Sequence, residues 1–423
     1  MHYFQYKNGQ LHAEDIAVAD LVYEYGTPLY IYSATTLKRH YKAFDSAFEG
    51  IDHLTCYSVK ANSNLSFLKI LAQEGAGTDI VSGGELFRAL RAGVDPKKIV
   101  YSGVGKKVVE IQEALFADIL MFNVESVQEL ERINEVAAGL DKVARVSLRI
   151  NPDVDPKTHP YVSTGLKENK FGLSRPDALK AYALAKSLPN VEPIGMDCHI
   201  GSQLTQLSPF MEALDKLKEF HGQLLEMGIK IKYMDLGGGL GITYNEETPP
   251  HPEELGKALV ESLKDLDVTL ILEPGRVIAG NTGILVTEVQ YTKTNEDKTF
   301  VIVDAAMNDL VRPSLYGSYH RIASVREGNG EEMTADVVGP ICESGDFLAK
   351  NRTFPKVGQG DLLAAFSAGA YGFVMSSQYN SRARAAEIMV EGDKHVVVRK
   401  REVYNDLVAL EEDGLACIGR LKK

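Results

Sequence analysis

Eight short apolar runs, each ending in polar or glycine residues and followed by a longer helical stretch, recur between residues 53 and 275. They are LTCYSVK from Leu54, TDIVS from Thr78, KIVYSG from Lys98, DILMFNV from Asp118, ARVSLRI from Ala144, IGMDCHI from Ile194, KYMDLGGG from Lys232 and TLILEPG from Thr269. A strand reads as a near-continuous apolar run when both of its faces are covered, so runs alternating with amphipathic helices imply a parallel sheet. LSFLKILAQEG from Leu65 and ESVQELERINEVA from Glu125 carry apolar residues at helical spacing, as such connections require. Eight units favour a (β/α)8 TIM barrel over a doubly wound sheet.

The rhythm changes after Gly275. GILVTEVQYTKTNEDKTFVIVDA reads as two strands around a polar turn at Asn295 to Lys298, and KVGQGDLLAAFSAGAYG and AAEIMVEGDKHVVVRKRE read as further short strands. The expected fold class is α/β: a barrel over residues 36–275 and a mostly β, β-barrel-like domain from 276–423 joined by 1–35, where YIYS is strand-like. NPDVDPKTHPYVSTGLKENKFGLS, after the fifth run, is long, polar and rich in proline and glycine, the character of a functional loop and a candidate lid.

Composition narrows the partners. Lys plus Arg number 46 and Asp plus Glu 58, a formal charge of −12 over 423 residues. Such a chain repels phosphate backbones and anionic lipid, so neither nucleic acid nor membrane is expected, although a local basic pocket for a small anion stays open. Cys56, Cys198, Cys342 and Cys417 are widely spaced without CxxC, which suits neither a metal site nor a disulfide framework. The first residues, MHYFQYKNGQ, carry no leader-like apolar run, and no segment reaches membrane-spanning length; a cytoplasmic, reducing location is expected.

Barrel enzymes place their chemistry at the C-terminal ends of the strands. Those positions hold Lys60, Asp79 and Ser82, Arg149 and Asn151, then His199, Gly201 and Ser202, then Gly237 to Gly239, and finally Glu273, Gly275 and Arg276. The glycine run after strand seven reads either as a tight turn or as a nest of backbone N–H groups for phosphate, and its place beside Arg276 favours phosphate. A lysine at the inner end of a strand can serve as an imine-forming amine. Lysine plus phosphate nest means a carbonyl compound bearing phosphate: pyridoxal phosphate, or a sugar phosphate in an aldolase. A buried carboxylate at Glu273 needs a partner, and a protonated pyridine nitrogen supplies one, which favours pyridoxal phosphate. His199 reads as a core histidine or as a ring stacked on a cofactor. In the β domain, Cys342 beside Glu343 in CESGD, Arg312 four residues before Tyr316 in RPSLYGSYH, and Tyr371 in GAYG are weaker candidates, each with a bland structural alternative.

Taken together, YSVKAN, DIVSGGEL, the NPDVDPKTH…KFGL stretch, HIGSQ, GGGLGITY, EPGR, RPSLYGSYH, GPICESGD and GAYG run nearly end to end. They resemble the pyridoxal-phosphate decarboxylases of alanine-racemase fold. The resemblance implies pyridoxal 5'-phosphate attached through Lys60, with Asp79 among the cofactor-binding residues, His199 stacked on the ring and Glu273 on the pyridine nitrogen. It implies Ser202, Gly239, Gly275, Arg276 and Tyr371 around the phosphate. Arg276, Arg312, Tyr316 and Tyr371 would meet the substrate, with Glu343 holding a distal amine and Cys342 returning a proton to the carbanion, both across a homodimer interface. The implied reaction converts meso-2,6-diaminopimelate to L-lysine, the last step of lysine biosynthesis, without a metal. The alternative within the fold is decarboxylation of a basic amino acid or a carboxylated polyamine, against which the cation Arg312 for a second carboxylate argues.

Overall fold

The computed structural model describes residues 2–154, 170–328 and 330–418. The chain divides into two compact units, Leu37–Gly280 and Met1–Thr36 with Asn281–Lys423.

In the first unit all eight runs are strands: His53–Ser58, Gly77–Ile80, Ile99–Tyr101, Met121–Val124, Ala144–Arg149, Val191–Asp197, Tyr233–Asp235 and Thr269–Leu272. Each pairs in parallel with the next, and the eighth pairs with the first, Leu270 opposite His53, to close a barrel. Helices follow because the intervening sequence supplies both a buried stripe and caps. Helix Leu65–Gln73 buries Phe67, Leu68 and Leu71, and the Asn64 side chain accepts from Ser66 N at its start. Helix Gly83–Ala92 begins where Ser82 Oγ accepts from Glu85 N and stops at Gly93 in the left-handed region. Helix Val127–Ala138 buries Leu130, Ile133 and Ala137, one face at helical spacing. A serine or asparagine cap is typically worth about 1 kcal/mol, so these ends are set locally.

The barrel interior is graded. Cys56, Val100, Leu120, Met121 and Ile271 form an apolar cluster. Toward the C-terminal ends of the strands the buried side chains turn polar: Ser58, Asp79, Ser102, Asn123, Asp197, Asp235 and Glu273. Polar groups are expensive to bury without partners, so their concentration at one end marks where the chemistry lies. Of the proline-rich loop after strand five, residues 155–169 lie outside the described residues.

In the second unit the central strand comes from the N-terminal segment. Leu29–Ser33 is buried along its length, antiparallel to Gly283–Asn295 on one side and parallel to Ala386–Glu391 on the other. Gly283–Asn295 also pairs with Lys298–Val303 around the polar turn read from the sequence. Ala386–Glu391 and Lys394–Arg399 form a hairpin. Leu29, Ile31, Ile284, Val286, Ile388 and Val390 meet in the core of this sheet. No helix among the described residues is long and apolar enough to cross a membrane.

Candidate active site

Lys60 lies in the helical turn Val59–Ala61 directly after barrel strand one. Its Nζ donates to Asp79 Oδ2 at 2.7 Å; Asp79 is fully buried, whereas the lysine side chain remains 37% exposed and therefore reachable. Ser58 Oγ lies 2.9 Å from the same Asp79 oxygen and 3.0 Å from the Glu273 carbonyl, tying strands one, two and eight together.

His199 follows strand six, and its orientation is set by the glycine turn after strand seven. Gly238 N donates to His199 Nδ1 at 3.2 Å, so Nδ1 carries no proton and the neutral ring keeps its hydrogen on Nε2. Burial, reinforced by the charges of Arg149 and Lys60, holds the imidazole well below its ordinary pKa, in agreement with that tautomer. The turn must be glycine. At Gly237, with φ +68°, a Cβ would lie 2.5 Å from His199 Nδ1; at Gly239, with φ +118°, it would lie 2.5 Å from the Gly201 carbonyl.

Arg276, which begins the short helix Arg276–Ala279 after strand eight, is buried. Its Nη2 donates to Ser202 Oγ at 3.0 Å and its Nη1 to Tyr244 Oη at 2.8 Å. A guanidinium, a hydroxyl and a glycine turn thus come from three successive strand ends. Glu273 is 6% exposed; burial first, then the charges of Asp235, Asp79 and Asp197, pushes its carboxyl well above the ordinary range. Arg149 pairs with Glu125 at 2.9 Å, lies 3.8 Å from Asp197 and stacks over Phe171. Asn151 orders the loop start by accepting from Asp153 N, and Ser82 is occupied as a helix cap.

The remaining candidates belong to the second unit. Arg312 opens the helical turn Arg312–Tyr316 and is 5% exposed, which removes the reading of a surface arginine. Its Nη1 donates to His320 Nε2 at 2.9 Å and its Nη2 to Ser318 Oγ at 3.3 Å, while His320 Nδ1 donates to the Phe366 carbonyl at 2.8 Å. Both ring nitrogens of His320 are committed, so it is neutral and locks the guanidinium plane. Tyr316 closes that turn before Gly317. Cys342 is exposed, not a small buried hydrophobe, and its backbone N donates to Asn380 Oδ1 at 2.9 Å. Asp346 anchors the loop by accepting from Ile341 N and Met307 N, both at 2.7 Å. Glu343 is hydrogen-bonded to Tyr379, whose phenol is pushed up by that bond. Tyr371 has φ +56°, an unfavourable region for a tyrosine, the kind of strain that clusters at functional sites.

Several members of these clusters were not singled out from sequence. Ser102, Asn123, Asp197 and Asp235 occupy the same strand-end positions that pointed to Asp79, so that positional rule applied to every strand finds them. Tyr244 lies within GGGLGITY, an aromatic in the loop after strand seven. Tyr379 and Asn380 have no local signal.

A lysine amine on a buried carboxylate, an arginine–serine–glycine cradle and a buried acid at one barrel end define a class: enzymes that hold pyridoxal phosphate. Residues 34–280 match the family described as pyridoxal-dependent decarboxylase, pyridoxal binding domain. A Haemophilus influenzae protein named diaminopimelate decarboxylase is 54% identical over 413 residues, 97% of this chain and 99% of its own. The crystal structure of diaminopimelate decarboxylase from Helicobacter pylori complexed with L-lysine has a TM-score of 0.91 and 45% identity, covering 94% of this chain and 99% of that one. The diaminopimelate decarboxylase from M. jannaschii in co-complex with L-lysine has a TM-score of 0.92 and 40% identity, covering 96% and 97%. The chain belongs to the diaminopimelate decarboxylase family.

The cofactor is pyridoxal 5'-phosphate, and the residues fit it. The reachable Lys60 amine suits its aldehyde, and Arg276, Ser202 and the bare backbone at Gly239 suit a phosphate. Asp79 Oδ1 and Asn123 Oδ1 are buried acceptors without a hydrogen-bond partner among the described residues, as expected where a ligand completes the polar network.

Proposed function

We propose that this chain removes carbon dioxide from meso-2,6-diaminopimelate and releases L-lysine, closing lysine biosynthesis, with the barrel residues above as its cofactor site. The observation that carries the reading is the Lys60–Asp79 pair at 2.7 Å, in the same strand-end set as Glu273 and the Arg276–Ser202 pair. Pyridoxal phosphate supplies a protonated ring that takes up the electron pair left when the Cα–carboxylate bond breaks.

The chain's own residues do the rest. Lys60 Nζ, oriented by Asp79, would be the amine that anchors the cofactor and that the substrate amine replaces. His199, neutral and clamped by Gly238 N, offers a flat uncharged face for stacking. Ser202, Gly239, Gly275, Arg276 and Tyr371 would hold the phosphate, and Glu273 would pair with the ring nitrogen. Arg312, Arg276 and Tyr316 hold the carboxylate that is retained; a charge-assisted bond to arginine is the reason a second carboxylate is preferred over a bare alkyl amine. The chain works as a homodimer in which Glu343 of the partner subunit holds the distal amine. Cys342 of the partner subunit delivers a proton to Cα in place of the lost carboxylate. The exposure of Cys342 supports its availability to a second chain. Four free thiols suit a reducing compartment, the cytoplasm.

The test is carbon dioxide release by pyridoxal-phosphate-loaded protein from meso-diaminopimelate, lysine, ornithine and arginine. Release from diaminopimelate alone is expected; release mainly from a monocarboxylate overturns the substrate and the role of Arg312.

A further inference from the structure

Behind the Lys60–Asp79 pair, the barrel end holds more acid than base. Asp79 has Lys60, and Glu125 and Asp197 share Arg149. Asp235 and Glu273, 0% and 6% exposed, take part in no ion pair among the described residues. They are held by one set of neutral donors instead. Asn123 Nδ2 stands between them, 3.2 Å from Asp235 Oδ2 and 3.4 Å from Glu273 Oε1. Ser102 Oγ donates to Glu273 Oε1 at 3.3 Å, and Gly237 N to Asp235 Oδ1 at 2.9 Å.

Two ionised carboxylates on one amide nitrogen in a buried site repel, and a single proton kept by the pair removes that repulsion. Burial works in the same direction, raising Asp235 to about 6 and Glu273 well above the carboxylate range. Among the charged groups that act on the pair, Asp79 and Asp197 oppose ionisation, and Lys60 and Arg149 favour it.

We infer that Asp235 and Glu273 behave as one acid that carries a single proton between them, which makes Asp235 a positioning residue for the carboxyl that faces the pyridine nitrogen. The inference rests on the reading of Glu273 given above. Its proton balance closes without solvent. Before the cofactor arrives the pair holds one proton and one negative charge. Passing that proton to the ring nitrogen breaks one O–H bond and forms one N–H bond, leaving two carboxylates against one pyridinium and the same net charge. Asn123, whose Nδ2 lies within reach of both carboxyls and of Ser102 Oγ, keeps the pair together in both states.

The experiment is infrared difference spectroscopy of the full chain, with pyridoxal phosphate minus without. Wild type should lose a protonated-carboxyl C=O band on binding. D235N should lose its band at a shifted frequency, because burial, the larger cause, keeps a lone Glu273 protonated while its carboxylate partner is gone, and D197N should lose the band where wild type does. A wild-type spectrum in which no protonated-carboxyl band disappears overturns the pair whatever the variants do, and so does a D235N spectrum whose lost band stands at the wild-type frequency. The separate reading of Glu273 is checked by turnover of E273Q. Wild-type turnover there would refute the contact with the ring nitrogen, while the carboxyl band stands or falls on its own.

Discussion

Replacing Gly237 by alanine perturbs the turn that positions His199. The new Cβ would lie 2.5 Å from His199 Nδ1, 2.9 Å from the Cys198 carbonyl and 3.0 Å from His199 Cβ. Ordinary contact between such atoms is about 3.5 Å, so the ring or the turn must move by about an ångström. Overfilling a packed site costs about 1–3 kcal/mol, and holding an alanine at φ +68° adds about 1–2 kcal/mol. The sum is smaller than the roughly 5–15 kcal/mol that keeps a protein folded, so G237A should fold with a lowered urea midpoint. Displacing a positioning group by an ångström costs about 100-fold in rate, and that is the expected fall in carbon dioxide release from diaminopimelate. A wild-type midpoint with wild-type release would refute the steric argument outright. A lowered midpoint with undiminished release would keep the clash but show that the place of His199 does not matter to the reaction.

Three further outcomes are expected. Gly222 lies inside helix Ser208–Glu226 with open space where a Cβ would go, so G222A should stabilise the chain by about 1 kcal/mol in urea unfolding and leave turnover unchanged. Cys342→Ala should slow turnover about 100-fold or more while pyridoxal phosphate still binds, and mixing it with inactive Lys60→Ala chains should restore partial turnover. Loss of cofactor in C342A, or no recovery despite proven subunit exchange, would contradict the proton-donor role or the shared site. Asp309, buried and accepting from Ala306 N, is held by burial at about 7. It is neutral when folded and ionised when unfolded above its ordinary value. Its stabilisation is therefore complete at acid pH and lost as pH rises through 7, about 4 kcal/mol in all. D309N should flatten the fall of unfolding free energy between pH 4 and 7, and an unchanged slope would remove Asp309 as its source.

The barrel was legible because its signal is local. A strand covered on both faces must be apolar along its length, so LTCYSVK or TLILEPG announces itself without knowledge of its neighbours. Lys60, His199, Glu273 and Arg276 were legible as candidates for a related reason: where a strand ends, the next residue sits at the catalytic rim. The partners of those residues were not legible, because barrel closure joins positions remote in sequence. Asn123 reaches Glu273 across 150 residues, Arg276 meets Tyr244 across 32, and Cys342 leans on Asn380 across 38.

Sequence alone determined which segments become strands and helices and which residues stand at the strand ends, since periodicity, caps and turn residues act over a few positions. Only the tertiary structure decided that Gly237 must lack a side chain because His199 lies against it. It alone also decided that His199 is neutral, that Arg312 is buried on a neutral histidine, and that Asp235 and Glu273 share Asn123. Those outcomes depend on close approach and on the loss of solvent around a charge, and neither exists until the distant strands have closed.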